Sequence, residues 1–304
     1  LGNVLKIVAL NNCMLITNPN EIDFSQYKRL FTIGCSFTHW TWPTWADVIA
    51  RDYEHLEYHN YGQPGCSNLY MLTMLSQLDR TFKFNETDLV LIMFSSWHRV
   101  TVYNSYREPG HTLNEAIIDH DIKEKIQVKK ESHNWQSSDD LIGRQLLEKP
   151  AKLLNCDRGY AIQNYAVIDS IATIFKRSAY TGAYMQSVAP DKQGLFDLTS
   201  PNTPIEDVHQ LYNDINEQAL GMSLYDYQDN EDNNHVWKNG EEDYHPYPSK
   251  YCEYLKAIGV NISDSTQKWA NFADQMIKDS HSPEQMETLS GWPYTKFNCK
   301  TFPL

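Results

Sequence analysis

The chain has 304 residues, 41% hydrophobic and 21% charged, a balance that supports a sizeable core and excludes a disordered or fibrous polymer. Its formal net charge of -13, with no basic patch to offset it, excludes a polyphosphate partner, because nucleic-acid binding rests on clustered Lys and Arg. No run of about 18 apolar residues occurs, so no membrane-spanning helix is expected.

Residues 4–16 (VLKIVALNNCMLI) have the apolar character of a signal peptide. Asn11 and Asn12 interrupt the run, however, and no small-residue cleavage site follows, so a cytoplasmic protein is the expectation. Met14 is a candidate natural start, which would make residues 1–13 an irregular extension. The six cysteines, at positions 13, 35, 66, 156, 252 and 298, form no CxxC pair. That scatter is neither a zinc site nor a disulfide framework, and it reads as reduced thiols.

Residues 27–33 (YKRLFTI) read as a strand running into a turn at Gly34. A helix over 45–53 follows, then a short strand over 56–61 ending at Gly62. Leu69, Leu72, Leu75 and Leu78 recur every third residue and predict an amphipathic helix over 68–78. Residues 88–95 (DLVLIMFS) form a continuous apolar run, the pattern of a strand buried on both faces of a parallel sheet. Strands alternating with helices in this way predict an α/β domain.

Residues 104–150 are polar, with a helix candidate over 115–130. A helix over 161–178 and a strand over 180–188 follow. The stretch 190–240, rich in Asp, Asn, Pro and Gln, reads as a long irregular insertion. A helix over 249–258 is expected, with Ser249 as N-cap and Gly259 as C-cap, and residues 261–304 read as a polar helix and an aromatic tail.

Three segments carry chemistry. Ser36 falls where the first strand ends, at the carboxyl edge at which open α/β sheets place their sites. Its own N–H, at the start of the next helix, is a candidate oxyanion donor. The loop Asn60-Tyr61-Gly62-Gln63-Pro64-Gly65-Cys66-Ser67-Asn68 follows the second strand, and its glycines allow close backbone approach to a ligand, with Gly65 N–H as a second donor. Far downstream, Asp243-Tyr244-His245-Pro246 pairs an acid with a base: His245 would take the serine proton and Asp243 would orient the imidazole. Cys35 and Cys66 are rival thiol nucleophiles, with Cys35 read as a buried small residue beside Ser36. His39, His98 and Arg99 are candidates for lining the pocket. Trp40 and Trp42 suit either substrate stacking or packing, and Trp45 suits the core.

Together these residues resemble the SGNH, or GDSL-type, hydrolase superfamily. Its blocks are Gly-Asp-Ser after strand one, Asn-x-x-x-x-Gly after strand two, Gly-x-Asn-Asp after strand three and Asp-x-x-His near the C-terminus. Gly34-Cys35-Ser36 matches the first with Cys in place of Asp, similar to phage and bacterial branches whose block reads Gly-Cys-Ser-Phe. Asn60 to Gly65 matches the second, and Asp243-x-His245-Pro246 matches the last at a spacing one residue shorter. Glu242, three residues before His245, is the rival acid. The third block departs: Ser95-Ser96-Trp97-His98-Arg99 stands there, with Trp97 in the register of the expected Asn. Ser96, Trp97 or Arg99 is left as the third oxyanion donor.

The resemblance implies a three-layer α/β/α sandwich with a mainly parallel central sheet, spanning residues 27–260 with insertions at about 104–160 and 190–240. Residues 1–26 and 261–304 would be extensions. It also implies a serine esterase with a Ser36–His245–Asp243 triad, needing no metal or cofactor. The expected substrate is a small ester, such as an O-acetylated carbohydrate. The alternative expectation is a non-catalytic carbohydrate- or partner-binding protein that keeps the fold.

Overall fold

The computed structural model describes residues 15–96, 101–103, 135–137, 157–188, 205–228, 235–236, 240 and 242–280. Four parallel strands make the central sheet: β1 (Arg29–Gly34), β2 (Glu57–Gly62), β3 (Asp88–Phe94) and β6 (Thr181–Gln186), in the order β2-β1-β3-β6. The two central strands are the most apolar, as burial on both faces requires. Leu30, Phe31 and Ile33 of β1 and Leu89, Val90, Ile92 and Met93 of β3 have no exposed surface. At the start of these strands Arg29 and Asp88 stand in register, and two 2.6 Å hydrogen bonds from the guanidinium hold the buried carboxylate.

Helix α1 (Trp45–Asp52) connects β1 to β2, and α2 (Asn68–Phe82) carries the chain from β2 back across β1 to β3. Crossovers between parallel strands are right-handed, so this reversal puts α1 and α2 on opposite faces of the sheet. Helix α3 (Asp157–Arg177) continues in the direction of α2 and packs beside it. Its buried residues Ile168, Ile171, Ala172 and Phe175 recur at helical spacing. Helix α4 (Ile205–Gln218) packs against α3, and the short α5 (Leu224–Gln228) follows it. On the other face, α6 (Pro248–Ala257) and α7 (Asp264–Asp279) pack on α1 and on each other. The result is the α/β/α sandwich around a parallel sheet that the sequence predicts.

Two short antiparallel ladders lie outside the sheet: β4 (Thr101–Tyr103) with β5 (Trp135–Ser137), and β7 (His235–Val236) with β8 (Glu242–Asp243). Upstream of β1, Leu15 bridges in parallel to Gly182 and Ile16 N–H donates to Gly182 O at 2.9 Å, lining the outer edge of β6. Among the described residues no helix is long and apolar enough to cross a membrane.

The structure departs from the sequence reading in several places. Leu69 of the expected leucine face of α2 is exposed, while Tyr70, Met71 and Met74 are buried with Leu75 and Leu78. Ser36 lies in a separate turn, the next helix beginning only at Trp45. The stretch 190–240 is not irregular throughout, since it contains α4 and α5. Leu211, Tyr212 and Ile215 of α4 reach the core at helical spacing despite the polar residues between them. Helix α6 begins one residue earlier than expected, with Pro248 in its first turn and Tyr247 as N-cap. Ser249 is therefore inside the helix, where its N–H and Oγ donate to the carboxylate of Asp274 on α7. The helix candidate over 115–130 and the aromatic tail lie outside the described residues.

Candidate active site

Strand β1 pairs with β2 on one side and β3 on the other, so the chain reverses direction around it, and its carboxyl end is the topological switch point of the sheet. The turn carrying Ser36 is built there. Thr38 N–H donates to Cys35 O at 2.9 Å and His39 N–H to the same oxygen at 3.1 Å, so residues 35–39 fold into a single helical turn. Ser36 and Phe37 open that turn, where N–H groups have no acceptor within it. The turn folds back tightly over the sheet edge. A Cβ on Gly34 would lie 2.0 Å from Thr38 Oγ1, and one on its register partner Gly62 would lie 2.6 Å from His39 Cβ. Glycine at both strand ends is thus what lets the Ser36 turn sit where it does.

Buried polar groups fix the turn from below. Asn60 Nδ2 donates to Thr38 O at 2.8 Å and to Tyr58 Oη at 2.8 Å, while Asn60 Oδ1 accepts from Gly62 N–H. Thr44 Oγ1 donates to the same Thr38 carbonyl at 2.7 Å, and Trp45 Nε1 donates to Thr38 Oγ1 at 3.2 Å. Asp47 closes the network, accepting from Thr44 N–H at 2.8 Å and from Tyr58 Oη at 3.1 Å. Burial pushes the Asp47 carboxyl up to about 6, and the hydrogen bonds from Thr44 and Tyr58 offset only part of that rise.

The second block forms the neighbouring wall. Cys66 N–H donates to Gln63 O at 3.1 Å, with Pro64 and Gly65 at the corners of the turn. Gly65 has φ +75°, the left-handed value that the second corner of a type II turn demands. Asn68, at the start of α2, then clamps the end of β3. Its Oδ1 accepts from Ser95 N–H at 2.9 Å and its Nδ2 donates to Ser95 O at 3.2 Å. Ser96 follows on the same edge, half-buried. Trp97, His98 and Arg99, the other third-block candidates, lie outside the described residues.

Asp243 and His245 come together across the edge. Asp243 Oδ1 accepts from His245 Nδ1 at 2.7 Å and from His245 N–H at 3.0 Å. A carboxylate only accepts, so Nδ1 carries the proton, and whenever the ring is neutral Nε2 presents a lone pair. Burial alone would raise the Asp243 carboxyl, but its hydrogen bonds with His245 and Trp40 and the charge of His245 outweigh burial and hold it below the ordinary value. Asp243 is thus the carboxylate hydrogen-bonded to His245, and the side chain of the rival Glu242 lies outside the described residues.

Phe37, the residue after Ser36, places its ring 5.1 Å from the imidazole of His245. Ser36 and His245 therefore belong to one site, yet they are not hydrogen-bonded to each other. Ser36 Oγ makes no hydrogen bond among the described residues, and His245 Nε2 is buried without one. Nucleophile–base hydrogen bonds commonly tighten only in the substrate complex.

Cys35 packs into the core with 0% exposure, which removes it from the edge that Ser36 occupies. Cys66 is also buried, and its Sγ donates to Gly34 O at 3.2 Å. Neither thiol is placed as a nucleophile. Trp45 is a core residue, as its position suggests. Trp42 is wholly buried, and its Nε1 donates to Pro246 O at 2.9 Å, tying the His245 loop to the segment after Ser36. Trp40 stacks on His245 with ring centroids 3.8 Å apart and donates from Nε1 to Asp243 Oδ2 at 3.1 Å. Local sequence leaves both tryptophans open between substrate and packing, and the contact with Asp243 and His245 has no signal in local spacing. The chain matches no protein-family model and no curated protein sequence.

Proposed function

We propose that the chain is a serine hydrolase of the SGNH type acting on a small ester, with an O-acetylated carbohydrate as the substrate class. The observation that carries this reading is the Asp243–His245 pair, with its imidazole tautomer set for proton acceptance, in one aromatic cluster with the residue next to Ser36 at the switch point of the sheet. Ser36 Oγ attacks the ester carbonyl carbon as its proton passes to His245 Nε2. Asp243 stabilises the imidazolium that forms. The carbonyl oxygen, now carrying the negative charge, takes hydrogen bonds from the N–H groups of Ser36 and Gly65 and from a third donor among Ser96, Trp97 and Arg99. Collapse of the tetrahedral intermediate breaks the bond to the alcohol, which leaves with the proton from His245. Water, deprotonated by His245, then attacks the acyl-Ser36 ester and releases the acid. No metal or cofactor enters these steps.

A second reading, a carbohydrate- or partner-binding protein that keeps the fold without turnover, is favoured by one observation: Ser36 and His245 are not hydrogen-bonded. Hydrolysis of p-nitrophenyl acetate by wild type, Ser36→Ala and His245→Ala separates the two. The hydrolase reading expects both variants to lose at least about a hundredfold in kcat/KM. Equal rates in wild type and Ser36→Ala, or no reaction of wild type with the activated ester, would favour the binding protein.

A further inference from the structure

We infer that Trp40 is a positioning residue for the acid–base pair, fixing the carboxylate of Asp243 with its N–H and the imidazole of His245 with its ring face. The inference rests on the hydrolase reading for its catalytic consequence, but the contact itself stands on geometry. Asp243 and His245 are only two residues apart. At that separation one oxygen, Oδ1, serves both the backbone N–H and Nδ1 of His245, at 3.0 and 2.7 Å. The other oxygen, Oδ2, is turned away from the histidine and needs a donor of its own, because a buried carboxylate oxygen left without one costs stability and lets the group rotate. Trp40 Nε1 is that donor, at 3.1 Å. The short acid–base spacing and the tryptophan are therefore two halves of one arrangement.

The ring supplies the second half. Trp40 lies on the imidazole at a centroid distance of 3.8 Å and an interplanar angle of 21°, covering one face. Phe37 approaches at 5.1 Å and 50°, and Trp42 stands edge-on at 6.4 Å and 84°. A ring enclosed on these sides keeps Nε2 aimed in one direction. When the imidazole takes the proton from Ser36, the resulting cation lies against the electron-rich face of an indole, the most favourable aromatic partner for a cation. Phe37, Trp40 and Trp42 all come from the segment directly after Ser36. The same stretch that carries the nucleophile thus registers the base against it, and small misplacements of reacting groups cost rate steeply.

The test uses the full chain with Trp40→Phe, which keeps a ring face but loses the N–H, and Trp40→Leu, which loses both. Two readouts are taken, with thermal melts to verify folding. The first is the downfield proton resonance of His245 Nδ1–H, assigned by its loss in Asp243→Asn. It should broaden or vanish in Trp40→Leu and move upfield in Trp40→Phe. The second is p-nitrophenyl acetate hydrolysis, in which Trp40→Leu should lose about tenfold to a hundredfold in kcat while KM stays within about threefold, with Trp40→Phe between it and wild type. An unchanged resonance in Trp40→Leu overturns the inference, as does an undiminished kcat in an active enzyme. If Trp40→Leu does not fold, wild-type resonance and kcat in Trp40→Phe overturn the hydrogen bond to Asp243. A wild type that hydrolyses nothing, but whose resonance depends on Trp40, upholds the clamp and overturns the hydrolase reading instead.

Discussion

Replacing Asp243 by asparagine removes one charge and one acceptor while keeping the shape of the side chain. Three donors converge on this carboxylate: His245 N–H and Nδ1 on one oxygen, and Trp40 Nε1 on the other. An asparagine has a single oxygen, so one side of the site must meet an NH2 group. If the oxygen stays toward His245, the amide NH2 faces the indole N–H, and two donors oppose each other at a cost of about 1–3 kcal/mol. If the amide flips, its NH2 faces His245. The backbone N–H then loses its acceptor, Nδ1 must accept, and the proton moves to Nε2, which can no longer receive one from Ser36. Neither orientation leaves a negative charge to stabilise the imidazolium. In the serine-protease triad the equivalent substitution lowers kcat by about 10⁴. The expectation here is a loss of about 10³ to 10⁴ in kcat, which is about 4 to 5.5 kcal/mol on the barrier. The assay is p-nitrophenyl acetate hydrolysis at saturating ester, with a thermal melt alongside. A folded Asp243→Asn that keeps more than about a tenth of the wild-type kcat would refute the assignment, and loss of activity in Glu242→Gln would then move the acid role to Glu242.

Two further predictions concern the scaffold under the site. The Asp47 carboxyl is raised from 3.8 to about 6 in the folded chain, so the folded state holds this proton more tightly than the unfolded state. Its contribution to stability is full below about pH 4 and is lost as pH rises through about 6, a change of about 3 kcal/mol. The difference in unfolding free energy between wild type and Asp47→Asn should fall by up to that amount from about pH 4 to neutrality, and a pH-independent difference in urea titrations would contradict it. Tyr251 is fully buried on α6 and its hydroxyl has no hydrogen-bond partner among the described residues. Tyr251→Phe should therefore be neutral or more stable by about 1 kcal/mol, read as an unchanged or raised urea midpoint, whereas a clear loss would show that the hydroxyl is bonded in solution.

The elements nearest the site were legible because the constraints on them are local. Strand β3 is buried on both faces and so is written as an unbroken apolar run. The leucine repeat in α2 marks a helix but only half of its buried face, since Leu75 and Leu78 are buried with Tyr70, Met71 and Met74 while Leu69 is exposed. Glycine at 34 and 62 and the Pro64-Gly65 pair mark a close approach and a turn that other residues resist. Helix α4 was hidden because Asp, Asn and Gln fill its outer face and outnumber the few residues that reach the core. The start of α6 was misplaced because Ser249 has the residue type of an N-cap but is engaged by Asp274, 25 residues downstream. Trp40 was unreadable for the same reason at greater range, since its partner Asp243 is 203 residues away in sequence. Pattern within a window reports which face is buried. It carries no record of which distant side chain meets which.

The buried network beneath Ser36 shows why the turn that carries it depends on residues packed below the sheet edge. A wholly apolar floor would have suited the sheet edge as well, and it would have avoided burying a carboxyl whose ionisation is opposed by its surroundings. Apolar contacts are not directional, however, and would not fix the Thr38 carbonyl. That carbonyl accepts from both Asn60 and Thr44, and it belongs to the residue whose N–H closes the turn on Cys35 O. Asn60 in turn is held through Tyr58, whose hydroxyl donates to Asp47, and Asp47 also caps the first turn of α1 through Thr44. The position of Ser36 is thereby tied to β2 and to the start of α1, and through Phe37 and Trp40 the position of His245 is tied to Ser36. An unfavourable buried carboxyl is the cost of directional bonds. Those bonds let a short turn hold Ser36 at a sheet edge in a single arrangement.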